Sequence, residues 1–463
     1  MKLKEWFRPG LRIKRWLLVG LAGIGLIGAG VSLFVKEVQT DPVRSLISLL
    51  PVLLGGTLIL VAARHFGRTV LGAINSGILG SSLDSEKLSS LLYDKRILIK
   101  GPKIVAIGGG TGLATMLRGL KAYSSNITAV VTVADDGGGS GMLRQELGML
   151  PPGDIRNCVL ALADTEPIME QLLQYRFQDG TLKGQSFGNL FLAAMDGISS
   201  SFEEAVRKMS DVLAVTGRVL PVTLENVMLC AELEDGCIIC GESKIGAHCS
   251  FHQGKIKRAY LEPSGAKPLQ DVLDAIREAD IIVLGPGSLY TSIIPNLLVR
   301  GIHSAIRKSS ALKVYVCNVM TQPSESEGYS VYDHIEALEE HSYKGIIDCC
   351  IVNNAAIPPE LKEKYKNDGA EQVFIDRDKI ENAGIKLIEG DYVSIKNNFV
   401  RHDPARLAET VIELVADTVL VRDRKRIIDY YYVKDRLKKS TSGMDKKDSH
   451  NHNSDGIDQH SSR

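Results

Sequence analysis

Two stretches of the chain strip the backbone bare beside groups that do chemistry. IVAIGGGTG (residues 104–112) carries Gly108, Gly109, Gly110, Thr111 and Gly112 at the end of an apolar run. VADDGGGSG (residues 133–141) ends a second run in Asp135 and Asp136, followed by Gly137, Gly138, Gly139, Ser140 and Gly141. Glycine loses more conformational freedom on folding than any other residue, so such runs suit a bend where a side chain would clash or a ligand that approaches the backbone. Bare N–H groups at a helix start, with the positive end of the helix dipole, form an anion site. Two adjacent carboxylates leaving the sheet on the same side offer oxygen ligands to a divalent ion such as magnesium. Arg144 adds a fixed positive charge.

Neither run is a standard nucleotide motif. The Lys and Ser/Thr of a P-loop are missing after Gly112, and Leu113 and Thr115 stand where a dinucleotide fingerprint needs its third glycine. That disfavours a nicotinamide-dependent oxidoreductase. A structural turn is the competing reading for one run, and helix capping for the aspartates.

Further loops carry similar residues. Asp154, Arg156 and Asn157 follow a Pro-Pro-Gly turn, with helix capping and ligand binding equal alternatives for Asp154. Ser186, Gly188 and Asn189 stand at a helix start, and Gly285, Gly287 and Ser288 form a third strand–glycine–helix junction. Asn318, Thr321 and Gln322 leave a further strand at the same sheet end. The convergence of these loops, rather than any one of them, is the signal. Cys237-x-x-Cys240, with His248, Cys249 and His252 nearby, invites a zinc reading. Residues three apart on a strand point to opposite faces, so these are read as small core residues.

The elements that must position these loops alternate. Strands are predicted at Ile104–Ile107, Ile127–Ala134, Ile281–Leu284, Val314–Cys317, Ile346–Val352 and Val373–Ile375. Helices fall at Leu113–Ala122, Asp154–Ala163, Phe187–Met195, Phe202–Val212, Leu269–Ala279, Tyr329–Glu340 and Pro404–Val415. This order predicts an α/β fold, a Rossmann-like, mostly parallel sheet with helices on both faces. Asp235-Gly236 between two alternating runs (residues 227–242) predicts a hairpin, which with residues 256–263 makes a small antiparallel addition. In such a sheet, ligands bind outside the carboxyl ends of the strands.

Two uncharged runs precede this domain, at about residues 16–35 and 45–63. Each matches the length of a bilayer-spanning helix, roughly 20 residues. Lys2, Lys4, Arg8, Arg12, Lys14 and Arg15 precede the first run, and Arg64 and Arg68 follow the second. The positive-inside rule then places both ends in the cytoplasm; a cleaved signal peptide is the alternative. The expected organisation is a membrane hairpin (residues 1–72), a juxtamembrane linker (73–102), the Rossmann-like domain (103–432) and a disordered polar tail (433–463). The tail holds His450, His452 and His460, read as solvated, and Ser440, Thr441 and Ser442, where a flexible end is preferred to a kinase target.

Fifty-five basic and 55 acidic residues give zero net charge, which with no basic stripe beyond the N-terminus excludes a nucleic-acid binder. Eight scattered cysteines fit a reducing compartment rather than a disulfide framework.

AIGGGTG, TVADDGGGSG, LPPGDIRN, SFGN, VLGPGSLYTSIIPNLL, NVMTQPSESEGY and RHDPARLAE together resemble the CofD-like (2-phospho-L-lactate transferase) family, and most closely its gluconeogenesis-factor (YvcK) branch, over about residues 103–416. The resemblance implies a protein that binds a nucleoside diphosphate sugar of the UDP-N-acetylglucosamine kind. Its role would lie in cell shape and wall synthesis during gluconeogenic growth, with no accepted reaction. The alternative it implies is a magnesium-dependent transferase moving a phospho-acyl group from a guanosine diphosphate-linked donor to a deazaflavin acceptor. Carried over, Gly109 to Gly112 and Gly137 to Gly141 become phosphate loops, and Asp135 and Asp136 the catalytic or magnesium-binding pair. Asn189 and Arg218 become sugar-nucleotide contacts. No tightly bound organic cofactor is expected. The expected placement is a two-pass membrane protein with its main domain in the cytoplasm, associating as a homo-oligomer.

Overall fold

The computed structural model describes residues 13–37, 49–74, 98–248, 255–422, 426 and 429–437. The predicted linker between 75 and 97, Cys249, His252, and the tail beyond 437 with its histidines and hydroxyls lie outside the described residues. The chain divides into two compact units, Met1–Ile99 and Lys100–Arg463.

The first unit holds α1 (Ile13–Glu37) and α2 (Leu49–Ile74). Gly23 and Gly55 face each other across the pair. A Cβ on Gly23 would lie 2.8 Å from the Gly55 carbonyl oxygen, and one on Gly55 2.5 Å from that of Gly23. Small residues thus let two apolar helices approach closely, as membrane helices do. Leu18, Leu21, Ile24, Leu53 and Leu60 are exposed. Where the sequence predicts two spans, one helix among the described residues is long and apolar enough to cross a membrane, through Leu18–Val35. The apolar stretch of α2, Leu49–Arg64, is shorter.

The strands of the second unit are β1 (Ile104–Gly108), β2 (Ile127–Val131), β3 (Arg218–Pro221), β4 (Met228–Leu233), β5 (Ile238–Cys240), β6 (Ile256–Glu262), β7 (Ile281–Leu284), β8 (Leu312–Val316), β9 (Cys349–Asn353), β10 (Lys386–Gly390), β11 (Val393–Lys396) and β12 (Phe399–His402). Seven form one sheet in the order β10-β9-β8-β7-β1-β2-β3, with every pairing parallel. β1, β2, β7 and β9 are buried along their whole length, as strands covered on both faces must be. Order reverses between β1 and β7, which makes that junction the topological switch point.

The sheet departs from expectation at its edges. Val373–Ile375 is no strand: Phe374 is 71% exposed and meets Ser330 only in an isolated bridge. The edges are β10, which carries Lys386 and Glu389 and is half-exposed, and β3, which ends at Pro221. Proline is tolerated on edge strands because it cannot donate to a ladder.

The antiparallel element is a separate three-stranded sheet, β5-β4-β6. Its turn uses Gly236 at φ +86°, with the Asp235 carboxylate accepting the Cys237 N–H at 2.8 Å. Two expectations fail here. Cys230 and Cys240 form a disulfide, and Cys237 is exposed rather than a core residue. Among the described residues the one cluster of three metal-ligating side chains is Cys230, Cys240 and Glu262, and its two sulfurs are bonded to each other.

The helices that frame the site are α3 (Gly110–Leu120), α4 (Gly138–Leu147), α5 (Gly153–Leu162), α6 (Pro167–Gln174), α7 (Phe187–Gly197), α8 (Phe202–Val212) and α9 (Glu242–His248). Later helices include Gln270–Glu278, Val331–Glu340 and Pro404–Thr418.

Candidate functional site

A cleft of about 470 Å³ opens at the carboxyl ends of β1, β2, β7 and β8, over the switch point. Gly109, Gly110, Thr111 and Gly112 line one wall and Pro286, Gly287 and Ser288 the next. These two turns touch. A Cβ on Gly112 would lie 2.7 Å from the Pro286 carbonyl oxygen. Gly110 sits at φ +66°, a conformation that favours glycine, and begins α3 with no side-chain cap. Asp154 meets the Gly110 N–H, and the next N–H groups of α3 are left for water or a ligand.

Side chains hold the turns in place. The buried Asn296 amide donates to the Gly108 carbonyl at 3.0 Å and to that of Ser292 at 2.8 Å. Asn318 donates to the Gly287 carbonyl at 3.0 Å, and Gln322 to the Ser288 hydroxyl at 2.7 Å. Asn318, Thr321 and Gln322 all line the cleft, and two of them already position the third glycine turn. The π-helical turn Leu289–Ile293 brings Thr291 and Ser292 to the same wall. Buried Glu325 anchors it, accepting from the Tyr290 N–H at 3.2 Å and the Thr291 hydroxyl at 3.0 Å.

The adjacent aspartates part company. Asp135 lines the cleft, where its carboxylate also accepts the Gly137 N–H at 2.9 Å. Asp136 does not: its Oδ1 accepts the Ser243 N–H at 2.8 Å and secures the start of α9. The predicted metal pair is therefore not assembled. Asp154 and Glu242 join Asp135 instead. Burial, then the Asp135 charge, pushes Asp154 up to about 6. The same two causes, in that order, push Glu242 up to about 8. Asp154 packs so closely on the first glycine turn that a Cβ on Gly109 would lie 2.5 Å from its Oδ2.

The second glycine run lies outside the cleft, and two of its glycines are tightly packed. Gly137, Gly138, Ser140 and Gly141 are not among the cleft-lining residues. A Cβ on Gly141 would lie 2.0 Å from the Asp136 carbonyl oxygen, and one on Gly139 2.8 Å from Gln185 Oε1. Arg144 is spent on the same loop, donating to the Asp135 carbonyl at 3.4 Å and to Asn226.

Other predicted residues fall elsewhere. Gly285, at φ +80°, shapes its turn without lining the cleft. Gly188 allows a close approach to Leu173 and Arg156, and Asn189 is buried in the first turn of α7, capped by Ser186. Asn157 lines a neighbouring pocket. Arg218 stands at the amino end of β3, on the opposite edge of the sheet, with Asp271 3.7 Å away. It cannot serve the cleft.

The sequence reading missed Glu242, Thr132, Tyr365, Asp368, Arg401 and His402, all of which line the cleft. Burial holds His402 down to about 4, so it is neutral, and its Nε2 lies 3.2 Å from the Cys317 carbonyl. Arg401 and His402 open the RHDPARLAE segment, a signal not used as a site.

Residues 104–393 match the family described as 2-phospho-L-lactate transferase CofD. A relative from Clostridium acetobutylicum is 51% identical over 441 residues, covering 95% of this chain and 98% of its own length. The gluconeogenesis factor of Bacillus subtilis is 49% identical over 317 residues, 68% of this chain and 99% of its own. The chain belongs to the CofD family, in its gluconeogenesis-factor branch. A crystal structure of a Bacillus halodurans protein, 48% identical, superposes with a TM-score of 0.64 over 66% of this chain and 98% of that one. The clostridial match is longer than the whole second unit, so in this CofD-family chain the likeness reaches into the residues before Lys100.

Proposed function

We propose that the cleft of this CofD-family protein binds a nucleoside diphosphate sugar of the UDP-N-acetylglucosamine kind. In this reading it acts in cell shape and wall synthesis during gluconeogenic growth. The observation that carries the reading is the meeting of the Gly109–Gly112 and Pro286–Ser288 backbones at the switch point, beside a helix start whose N-cap residue, Gly109, has no side chain. N–H groups there suit a diphosphate, and Tyr365 and Arg401 on the far wall suit a base or sugar and a negative oxygen.

Asp135, Asp154 and Glu242 oppose an anion unless they are protonated or share a cation. Their oxygens suit a hard divalent ion such as magnesium, which binds through one or two carboxylates plus substrate phosphates. Asp135 with Asp154 or Glu242 would hold it, and it would neutralise diphosphate charge. The same acids favour a second reading, the 2-phospho-L-lactate transferase type, in which a magnesium-dependent reaction releases a nucleoside monophosphate. α1 and α2, with apolar exteriors, support a membrane-anchored placement.

Calorimetric titration of the full-length protein with UDP-N-acetylglucosamine, with and without magnesium, tests the first reading. Saturable binding without turnover is expected. Release of nucleoside monophosphate from a guanosine diphosphate-linked donor, abolished by Asp135→Ala, would replace it with the second.

A further inference from the structure

A second pocket, of about 280 Å³, lies on the other side of the first glycine turn. Thr111 and Thr115 border both it and the main cleft. One face of α3 supplies Thr111, Ala114, Thr115 and Arg118, α5 supplies Arg156 and Asn157, and the end of α6 leads to Gln174 and Arg176. Three of its lining residues are arginines and none is acidic. The main cleft has the reverse balance, with Asp135, Asp154, Glu242 and Asp368 against Arg401.

The arginines are held but not neutralised. Arg156 Nη2 donates to Asn157 Oδ1 at 2.7 Å and Nη1 to the Ser186 hydroxyl, both uncharged, while its buried Nε has no partner. Arg176 donates to the Gly184 carbonyl. Among the described residues no carboxylate lies within 4 Å of either guanidinium. Arg118 has only a 3.8 Å contact with Glu170, whose Oε1 also accepts from Gln174 at 3.0 Å. Asp154 and Asp135 act on Arg156 at longer range from the cleft side, and burial and Arg176 both disfavour its charge. Like charges gathered around a cavity with Glu170 as the one nearby counter-charge raise the local concentration of an anion. Guanidinium groups fit phosphoryl oxygens through paired, charge-assisted hydrogen bonds.

The geometry points to this pocket as a second anion site that takes the phosphoryl group of a small phosphate monoester, separate from the diphosphate cradle of the cleft. It needs no divalent cation, because the pocket supplies its own positive charge. The inference does not rest on the sugar-nucleotide reading.

The test is phosphate binding to the full-length protein, followed by ³¹P NMR line broadening and by calorimetry in a chelating, non-phosphate buffer. Inorganic phosphate should bind saturably, with sulfate competing. The double variant Arg118→Gln/Arg176→Gln should weaken phosphate at least tenfold and UDP-N-acetylglucosamine less than twofold, whereas Arg401→Ala should leave phosphate unchanged. In the wild type, which does not depend on variant folding, phosphate should remain bound when the sugar nucleotide saturates the cleft. Loss of phosphate on adding the sugar nucleotide, loss with Arg401→Ala, or no effect of the double variant would overturn the inference, as would no phosphate binding at all. If the sugar nucleotide fails to bind, the cleft reading falls, and the two arginine substitutions still decide this one.

Discussion

The two glycine runs look alike in sequence and do different work. Gly109 to Gly112 line the cleft while Asp154, Thr132 and Pro286 pack closely behind Gly109 and Gly112. Within Gly137 to Gly141, Gly139 and Gly141 are crowded by Gln185 and the Asp136 carbonyl. Glycine after a strand signals close approach; the first run also turns its backbone to the cleft, whereas the second lies outside it, with Gly139 and Gly141 packed on the protein itself. The aspartates between them divide in the same way, Asp135 toward the cleft and Asp136 into the frame.

The largest expected effect separates the two runs by stability. Gly141→Ala places a methyl 2.0 Å from a backbone oxygen. It should cost about 1–3 kcal/mol, the usual penalty of overpacking, and lower the melting temperature, while ligand affinity of the folded fraction stays the same. Gly110→Ala has only Ser292 Oγ nearby, at 3.7 Å, and strain at φ +66°. It should lose roughly 1–2 kcal/mol of stability and lower ligand affinity as well. Equal affinities in the two variants would break the comparison.

The next effect is on pH. Glu242 keeps its proton in the folded state up to about 8, against 4.5 for the free side chain. The folded protein therefore binds more protons than the unfolded chain between those values, and stability falls as pH rises through that window. Glu242→Gln should melt higher than the wild type at pH 8.5 in the presence of a chelator and match it at pH 4. Thermal melts across pH decide this, and a lower melting point at pH 8.5 would remove the buried-charge account.

Smaller changes sharpen the map. Arg401→Ala should weaken sugar-nucleotide binding about tenfold, equivalent to about 1.4 kcal/mol. Arg218→Ala, on the opposite sheet edge, should change it less than twofold. Calorimetry reads both, and a large effect of Arg218 would place the ligand elsewhere.

Much of the fold was legible where burial is complete. Ile104–Gly108 and Ile281–Leu284 are unbroken apolar runs because both faces of those strands are covered. The edge strands were not legible. Lys386–Gly390 carries charges because one side meets water, and Arg218–Pro221 ends in a residue that reads as a breaker. At the site, the first and third glycine turns could be read because their residues are local. Glu242 could not, because a separate antiparallel sheet and a short helix bring it to Asp135 from far along the chain. Nor could the parting of Asp135 from Asp136, since neighbours on an extended chain point to opposite sides and the sequence does not say which side faces the cleft.

Hydrogen–deuterium exchange of the full-length protein, with and without saturating UDP-N-acetylglucosamine, tests the central claim most directly. Protection is expected at the amides of residues 109–112 and 287–292, with none added at 138–141. Protection confined to 138–141, or an unchanged exchange rate at 109–112 with ligand bound, would contradict it.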